Sequence, residues 1–186
     1  EISAFTKQIV KGPGAALFLD WFTCNNLPNI NRINLTYCLT TSGTVRSEYT
    51  IVRKSENEFY LISAGALTDY DKDYLIKKAQ DKEKEFGYIE IQDVTSQFGT
   101  FAIAGPKSKE LLILHYPVEF QNKLLDLLLL SGKNFDLKLV GSRAQNWLRQ
   151  EKSYRAFGNE LGRDACLVEA GLEKFINFNK ELLGKD

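Results

Sequence analysis

A short strand, a Gly-Pro break and a helix start follow one another twice, and this repeat limits the folds open to the chain more than any other feature. Lys7 to Val10 leans apolar and runs into Gly12-Pro13-Gly14, then Ala15 to Phe22. Phe101 to Ala104 runs into Gly105-Pro106, then Lys107 to Leu114. Gly ends a strand, and Pro suits the first helical position, where its missing N–H would be unpaired in any case. Two such units imply a duplicated αβ module; coincidence of a common turn dipeptide is the plain alternative.

The stretch between them reads as antiparallel strands. Ile33 to Thr41 leads to a turn at Ser42-Gly43. Val45 to Arg53 alternates, with Val45, Ser47, Tyr49 and Ile51 on one face and Arg46, Glu48, Thr50 and Val52 on the other. Glu56-Asn57 turns the chain into Glu58 to Ala64, completing a meander. Asp69 to Phe86 is a charged amphipathic helix with Tyr70, Tyr74, Leu75 and Ala79 facing inward, ended by Gly87. Tyr88 to Val94 returns as a strand. The second half is mostly helical: Glu119 to Leu130, stopped by Ser131-Gly132; Ser142 to Phe157, stopped by Gly158; and a weaker segment from Glu169 to Phe175. The pattern is α+β.

Composition removes several function classes. The 186 residues carry 24 Lys+Arg against 24 Asp+Glu, which argues against a basic nucleic-acid binder. The apolar run Leu127 to Leu130 is too short to span a bilayer. Cys24, Cys38 and Cys166 have no metal-ligand spacing, so no metal site is expected, and their odd number fits a reducing compartment. A lone His115 beside Tyr116-Pro117 supports neither a Ser-His-Asp nor a Cys-His arrangement. No Gly-rich phosphate loop is present. Glu48 stands out in mid-strand. On an edge it would be solvated, the reading its neighbours favour; in a cleft it could bind an amine or act as a base. The helix from Ser142 has a polar face with Arg149, Glu151 and Arg155, while Trp147, Leu148, Tyr154 and Phe157 are expected to pack.

Several segments, in order along nearly the whole chain, carry a family resemblance. They are Ile2 to Lys7, Gly12 to Ala15, Ile33 to Tyr37, Gly43 to Glu48, Phe98 to Pro106, Leu148 to Gly158, Val168 to Leu172 and Gly184 to Asp186. Together they resemble the folate-binding domain of the glycine-cleavage T-protein (aminomethyltransferase) superfamily. The similarity is strongest to the C-terminal, T-protein-like part of dimethylglycine and sarcosine dehydrogenases.

The resemblance implies tetrahydrofolate as cofactor and transfer to it of a one-carbon unit from an amine donor, giving methylene-tetrahydrofolate. The donor would arrive on a lipoyl carrier or from a flavin dehydrogenase domain. It further implies Glu48 as the catalytic residue and Tyr37, Arg149, Glu151 and Tyr154 as the folate-binding set, Arg149 and Glu151 carrying the more structural part of their motif. The paired acidic positions of T-proteins fall on Ser47 and Glu48, of which only Glu48 is acidic, and a helix Arg of the family falls near Gln145. A non-catalytic folate-binding module and a purely structural domain are the alternatives. Family members are either bacterial cytoplasmic or mitochondrial matrix proteins. The resemblance also implies an incomplete domain over 1–186. A segment bearing a pterin-binding Glu is missing near 112–115, where Leu112-Ile113-Leu114 runs straight into His115-Tyr116-Pro117, and the C-terminal β-barrel is absent. A start at Glu1 and a complete lack of Met fit the same expectation.

Overall fold

The computed structural model describes residues 5–65, 68–105 and 112–185. The chain divides into two compact units, one built from Ala4–Val94 with Ala156–Asp186, the other from Thr95–Arg155.

The larger unit is organised by a five-stranded sheet. Its strands are β1 (Thr6–Lys11), β2 (Ile33–Leu39), β3 (Val45–Arg53), β4 (Glu58–Ser63) and β5 (Glu90–Asp93), in the order β2-β3-β4-β1-β5. Every neighbouring pair is antiparallel. The meander expected from the turns at Ser42-Gly43 and Glu56-Asn57 is therefore present, and β1 closes onto β4. Two helices cover one face: α1 (Ala15–Phe22) and α2 (Thr68–Phe86). In α1 the residues at i, i+3, i+4 and i+7, Ala15, Phe18, Leu19 and Phe22, are the buried ones, the spacing of one helical face. They meet Val10, Cys38, Tyr49, Ile51, Phe59 and Leu61 from the sheet and Leu75 and Ala79 from α2. Phe18 stacks on Phe22 at 5.2 Å between centroids. Each such buried Phe or Leu contributes roughly 1.5–3 kcal/mol.

Pro13 does not occupy the first helical position. It sits in the turn, Gly14 is the N-cap, and the helix opens at Ala15. The reason is a close approach: the Gly14 N–H donates to the Tyr88 carbonyl at 3.1 Å, so the entry to α1 abuts the exit from α2. That exit is a left-handed Gly87 (φ +96°) whose N–H closes on Glu83 O.

A second core lies on the opposite side of the sheet at its β2–β3 end. Cys24, Tyr37, Leu39 and Val45 pack against Leu161, Leu167, Ala170 and Leu182. The returning segment is anchored by backbone bonds, Val45 N to Ala165 O at 2.9 Å and Asn177 N to Cys24 O at 2.8 Å. The Lys180 ammonium fastens it further, donating to the carbonyls of Asp20 and Asn25 and to the Asp20 carboxylate. Burial holds this lysine below its usual pKa, against the opposing pull of Asp20. Where a helix was expected from Glu169 to Phe175, turns end in a single 3₁₀ turn, Glu173–Phe175.

One correction to the strand reading governs the site. Register along β2–β3 runs Tyr37↔Glu48 and Cys38↔Ser47, then jumps to Leu39↔Val45, leaving Arg46 as the extra residue of a β-bulge. Val45 therefore leaves the face of Ser47, Tyr49 and Ile51 and joins the second core. Arg46 turns instead toward α2 (contacts given below). Strict alternation assigned the two the other way round, and a bulge inverts that assignment on one side of itself.

The smaller unit holds a two-stranded antiparallel sheet, β6 (Phe98–Ile103) with β7 (Leu112–Pro117), and the helices α3 (Gln121–Gly132) and α4 (Ser142–Glu151). Phe101 and Tyr116 stack at 4.8 Å. The second expected helix, Lys107 to Leu114, is not found where it can be checked. Residues 106–111 lie outside the described residues, and Leu112–Pro117 is strand, with His115 on it opposite Thr100. α3 does not stop at Ser131-Gly132 but continues into a 3₁₀ turn, Lys133–Phe135, ended by a left-handed Asp136. α4 ends at Glu151, six residues early, because the chain turns through a left-handed Ser153 (φ +55°). Arg155 thus lies beyond the helical register that would have paired it with Glu151. Trp147, Leu148 and Tyr154, expected to pack, are exposed.

Candidate functional site

Glu48 and Tyr37 face each other as a cross-strand pair on β3 and β2. Tyr37 is almost fully buried, with its ring edge-on to Phe175 at 5.7 Å. Its hydroxyl donates to the Glu48 carboxylate. Burial pushes the Tyr37 phenol well above its usual range, and the adjacent Glu48 charge pushes it further. Glu48 itself is partly buried; desolvation raises its pKa above 4.5, opposed by the Tyr37 hydrogen bond, which favours the ionised form. The solvated-edge reading of Glu48 is thus replaced by a partly desolvated, oriented carboxylate. Such a group can hold a cationic nitrogen or accept a proton.

Pairing extends this face across the sheet. Thr50 lies two residues from Glu48, opposite Ile62 on β4, which in turn lies opposite Lys7 on β1. Lys7 is fully buried, its ammonium donating to Phe5 O at 2.9 Å. A buried lysine on the face of Glu48 was not singled out from the sequence. Alternation along β1 carried the signal, but only the β1–β4 pairing converts it into proximity of faces.

Tyr37→Phe tests the electrostatic pairing directly. Removing the phenol donor is expected to move the Glu48 titration upward, away from the ordinary carboxylate range, as read by carboxyl ¹³C NMR. Because the folded-state pKa is already raised, Glu48 subtracts stability as pH rises through the window just above 4.5. The variant should extend that window to higher pH.

The other three expected contacts lie in the smaller unit. Arg149 is engaged by its own helix end: Nε donates to Asn146 Oδ1 at 2.7 Å and Nη1 to Tyr154 O at 3.0 Å, while Tyr154 N returns to Arg149 O at 2.9 Å. This is a helix-terminating knot, consistent with a structural role for Arg149. Glu151 is the last residue of α4 and is exposed, and the Tyr154 ring is about two-thirds exposed. The structure therefore joins Tyr37 to Glu48, and Arg149 to Tyr154, as two separate pairs. Among the described residues no group of His, Cys, Asp or Glu is set to hold a metal, and no helix is long and apolar enough to cross a membrane.

With this geometry in view, a model of the GCVT N-terminal domain matches residues 1–113 and 114–180. The chain belongs to the GCVT N-terminal domain family. Curated members of similar sequence include the mitochondrial dimethylglycine dehydrogenase of Homo sapiens, 26% identical over 229 residues, covering all of this chain and 26% of that protein. The aminomethyltransferase of Aquifex aeolicus (strain VF5) is 26% identical over 220 residues, covering all of this chain and 58% of that protein. Among solved structures, the glycine cleavage system aminomethyltransferase T from Bartonella henselae superposes with a TM-score of 0.84 at 19% identity, covering 99% of this chain and 60% of that one. This GCVT domain thus has the T-protein fold, a mixed α/β arrangement with no closed barrel among its described residues. It spans about a quarter of the length of the dehydrogenase and under two thirds of the aminomethyltransferase.

Proposed function

We propose that this GCVT domain takes part in tetrahydrofolate-dependent transfer of a one-carbon unit from an amine donor, with Glu48 as the reacting carboxylate. Membership of a family of folate-dependent enzymes supports the reaction class. The observation that carries the assignment is the Tyr37–Glu48 pair, a partly desolvated carboxylate held by a buried phenol. Glu48 would hold the positive charge of the amine or its iminium form and orient it; Tyr37 fixes the carboxylate and offers an aromatic wall. Tetrahydrofolate, when bound, supplies the nitrogen that accepts the carbon unit. The dehydrogenase relative supports a flavin domain as the source of the donor, and the aminomethyltransferase relatives a lipoyl carrier.

A missing internal segment near 112–115 belongs to the same reading. It is supported by the family match falling in two pieces that meet at residues 113 and 114, and by the alignment of 229 residues over a chain of 186. A second reading, a folate-binding module without turnover, is favoured by the engagement of Arg149 at its helix end, which leaves Tyr37 and Glu48 as the defined pair.

The test is to supply the chain with tetrahydrofolate and an aminomethyl-loaded lipoyl protein and to follow methylene-tetrahydrofolate. Turnover supports the first reading. Saturable tetrahydrofolate binding without turnover supports the second. No binding at millimolar tetrahydrofolate overturns both.

A further inference from the structure

The residue two positions before Glu48 is a cation that the fold has turned away from it. In an unbulged strand, Arg46 and Glu48 would share a face and pair. The bulge at Arg46 sends the guanidinium to the other side of the sheet. There Arg46 is 4% exposed and meets Tyr70, Asp71 and Tyr74 of α2. Its Nη2 donates to Tyr70 O at 3.2 Å and lies 3.6 Å from Asp71 Oδ1. Its carbon centre lies 3.8 Å from the centroid of the Tyr70 ring and 4.5 Å from that of Tyr74. The same Tyr70 ring also meets Arg163, at 4.3 Å. Tyr70, expected to face the core, is instead half exposed and lies against both arginines.

Asp71 is 3% exposed, and neither of its carboxylate oxygens makes a hydrogen bond of ordinary geometry. Burial raises its pKa, and the Ser47 side chain and the charges of Arg46 and Arg163 oppose that by favouring the ionised form. A buried carboxylate so placed depends on the cation beside it, because desolvation is offset only by the partner charge. The dependence is mutual, and both ends of it lie next to Glu48 in the chain: Arg46 two residues away and Ser47 adjacent.

We propose that Arg46 and Asp71 are positioning residues for Glu48. Their pairing on the α2 side locks the bulge and so keeps a guanidinium off the face where Glu48 stands opposite Tyr37. The inference rests on the reading of Glu48 as the reacting group, but its test uses neither folate nor amine.

The experiment is to titrate the Glu48 carboxyl by ¹³C NMR in the full chain and in Asp71→Asn, and to record the Tyr37–Glu48 cross-strand contact by NOE. Without its counter-charge Arg46 is held against α2 more weakly, by Tyr70 O and the two tyrosine rings. The bulge is expected to relax, bringing the cation to the Glu48 face and lowering the Glu48 titration by about 1 unit, with weakening of the Tyr37 contact. A fall in thermal midpoint with the titration and the contact both unchanged would overturn the proposal, since an anchor that only adds stability predicts that result. If Asp71→Asn does not fold, the double variant Arg46→Met/Asp71→Leu removes both charges and keeps the volume. Loss of the Leu39↔Val45 pairing in that variant supports the proposal, and its retention overturns it. Failure of the transfer assay, by contrast, leaves these outcomes standing and removes only the catalytic reading.

Discussion

Glu48→Gln is expected to lower one-carbon transfer by about 10²–10⁴-fold, the range typical for loss of a positioned acid–base group. The substitution is nearly isosteric. The amide oxygen still accepts from Tyr37, so the β2–β3 pairing and the burial of Tyr37 should survive. What disappears is the negative charge opposite a cationic nitrogen and the ability to take a proton. An interaction made in the transition state is thereby lost, so the rate constant should fall with little change in the Michaelis constant. The pH profile gives a second readout. The wild-type rate should decline as pH falls through the Glu48 pKa, at a pH above the ordinary 4.5 because burial raises it, and that limb should vanish in the variant. An unchanged rate of methylene-tetrahydrofolate formation would remove Glu48 from the chemistry.

Gly14→Ala is expected to destabilise the larger unit by about 1–3 kcal/mol, the usual cost of forcing a group into packed space. For a chain of this size that corresponds to a fall of roughly 3–10 °C in thermal midpoint. Nothing in the local conformation opposes alanine: the residue has φ −84° and ψ −10° and caps a helix. The opposition comes from across the fold. A β-carbon there would stand 2.8 Å from both the Gly87 carbonyl carbon and the Phe86 oxygen, and closer still to the Gly87 oxygen. These are backbone atoms and cannot rotate aside. Pro13→Ala, one residue earlier in the turn, is the control. Differential scanning calorimetry of the two variants separates a steric effect at residue 14 from a general softening of the turn.

The sheet was legible from the sequence because its signals are local. Turn residues at Ser42-Gly43 and Glu56-Asn57 and the alternation of Val45 to Arg53 mark strands whose partners are sequence neighbours, and the meander follows. The helix from Thr68 was equally plain from its charge pattern and from Gly87. The first strand's pairing with β4 was not legible, since it joins residues 47 to 57 positions apart. In the second half, the early end of α4 depends on Ser153 entering a left-handed conformation, which a serine does not advertise. Apolar periodicity also misled there: Trp147 and Leu148 read as core and are exposed. At the site, the resemblance pointed to Glu48 and Tyr37, but neither strand pattern nor composition could say that the two residues meet. The burial around Tyr37 comes from Phe175 and its neighbours, far along the chain.

The bulge at Arg46 has a consequence for how this strand is compared with others. On its C-terminal side, odd-numbered residues belong to the helix-covered face; on its N-terminal side, parity reverses, and Val45 belongs with Tyr37 and Leu39. A column-by-column reading that ignores this gives every residue before Ser47 the wrong environment. Removing Arg46 alone would restore a regular ladder, with Val45 and Ser47 adjacent in chain and opposite Leu39 and Cys38. A single codon therefore separates two versions of the strand that keep Glu48 opposite Tyr37 and differ in whether a cation is tethered behind it.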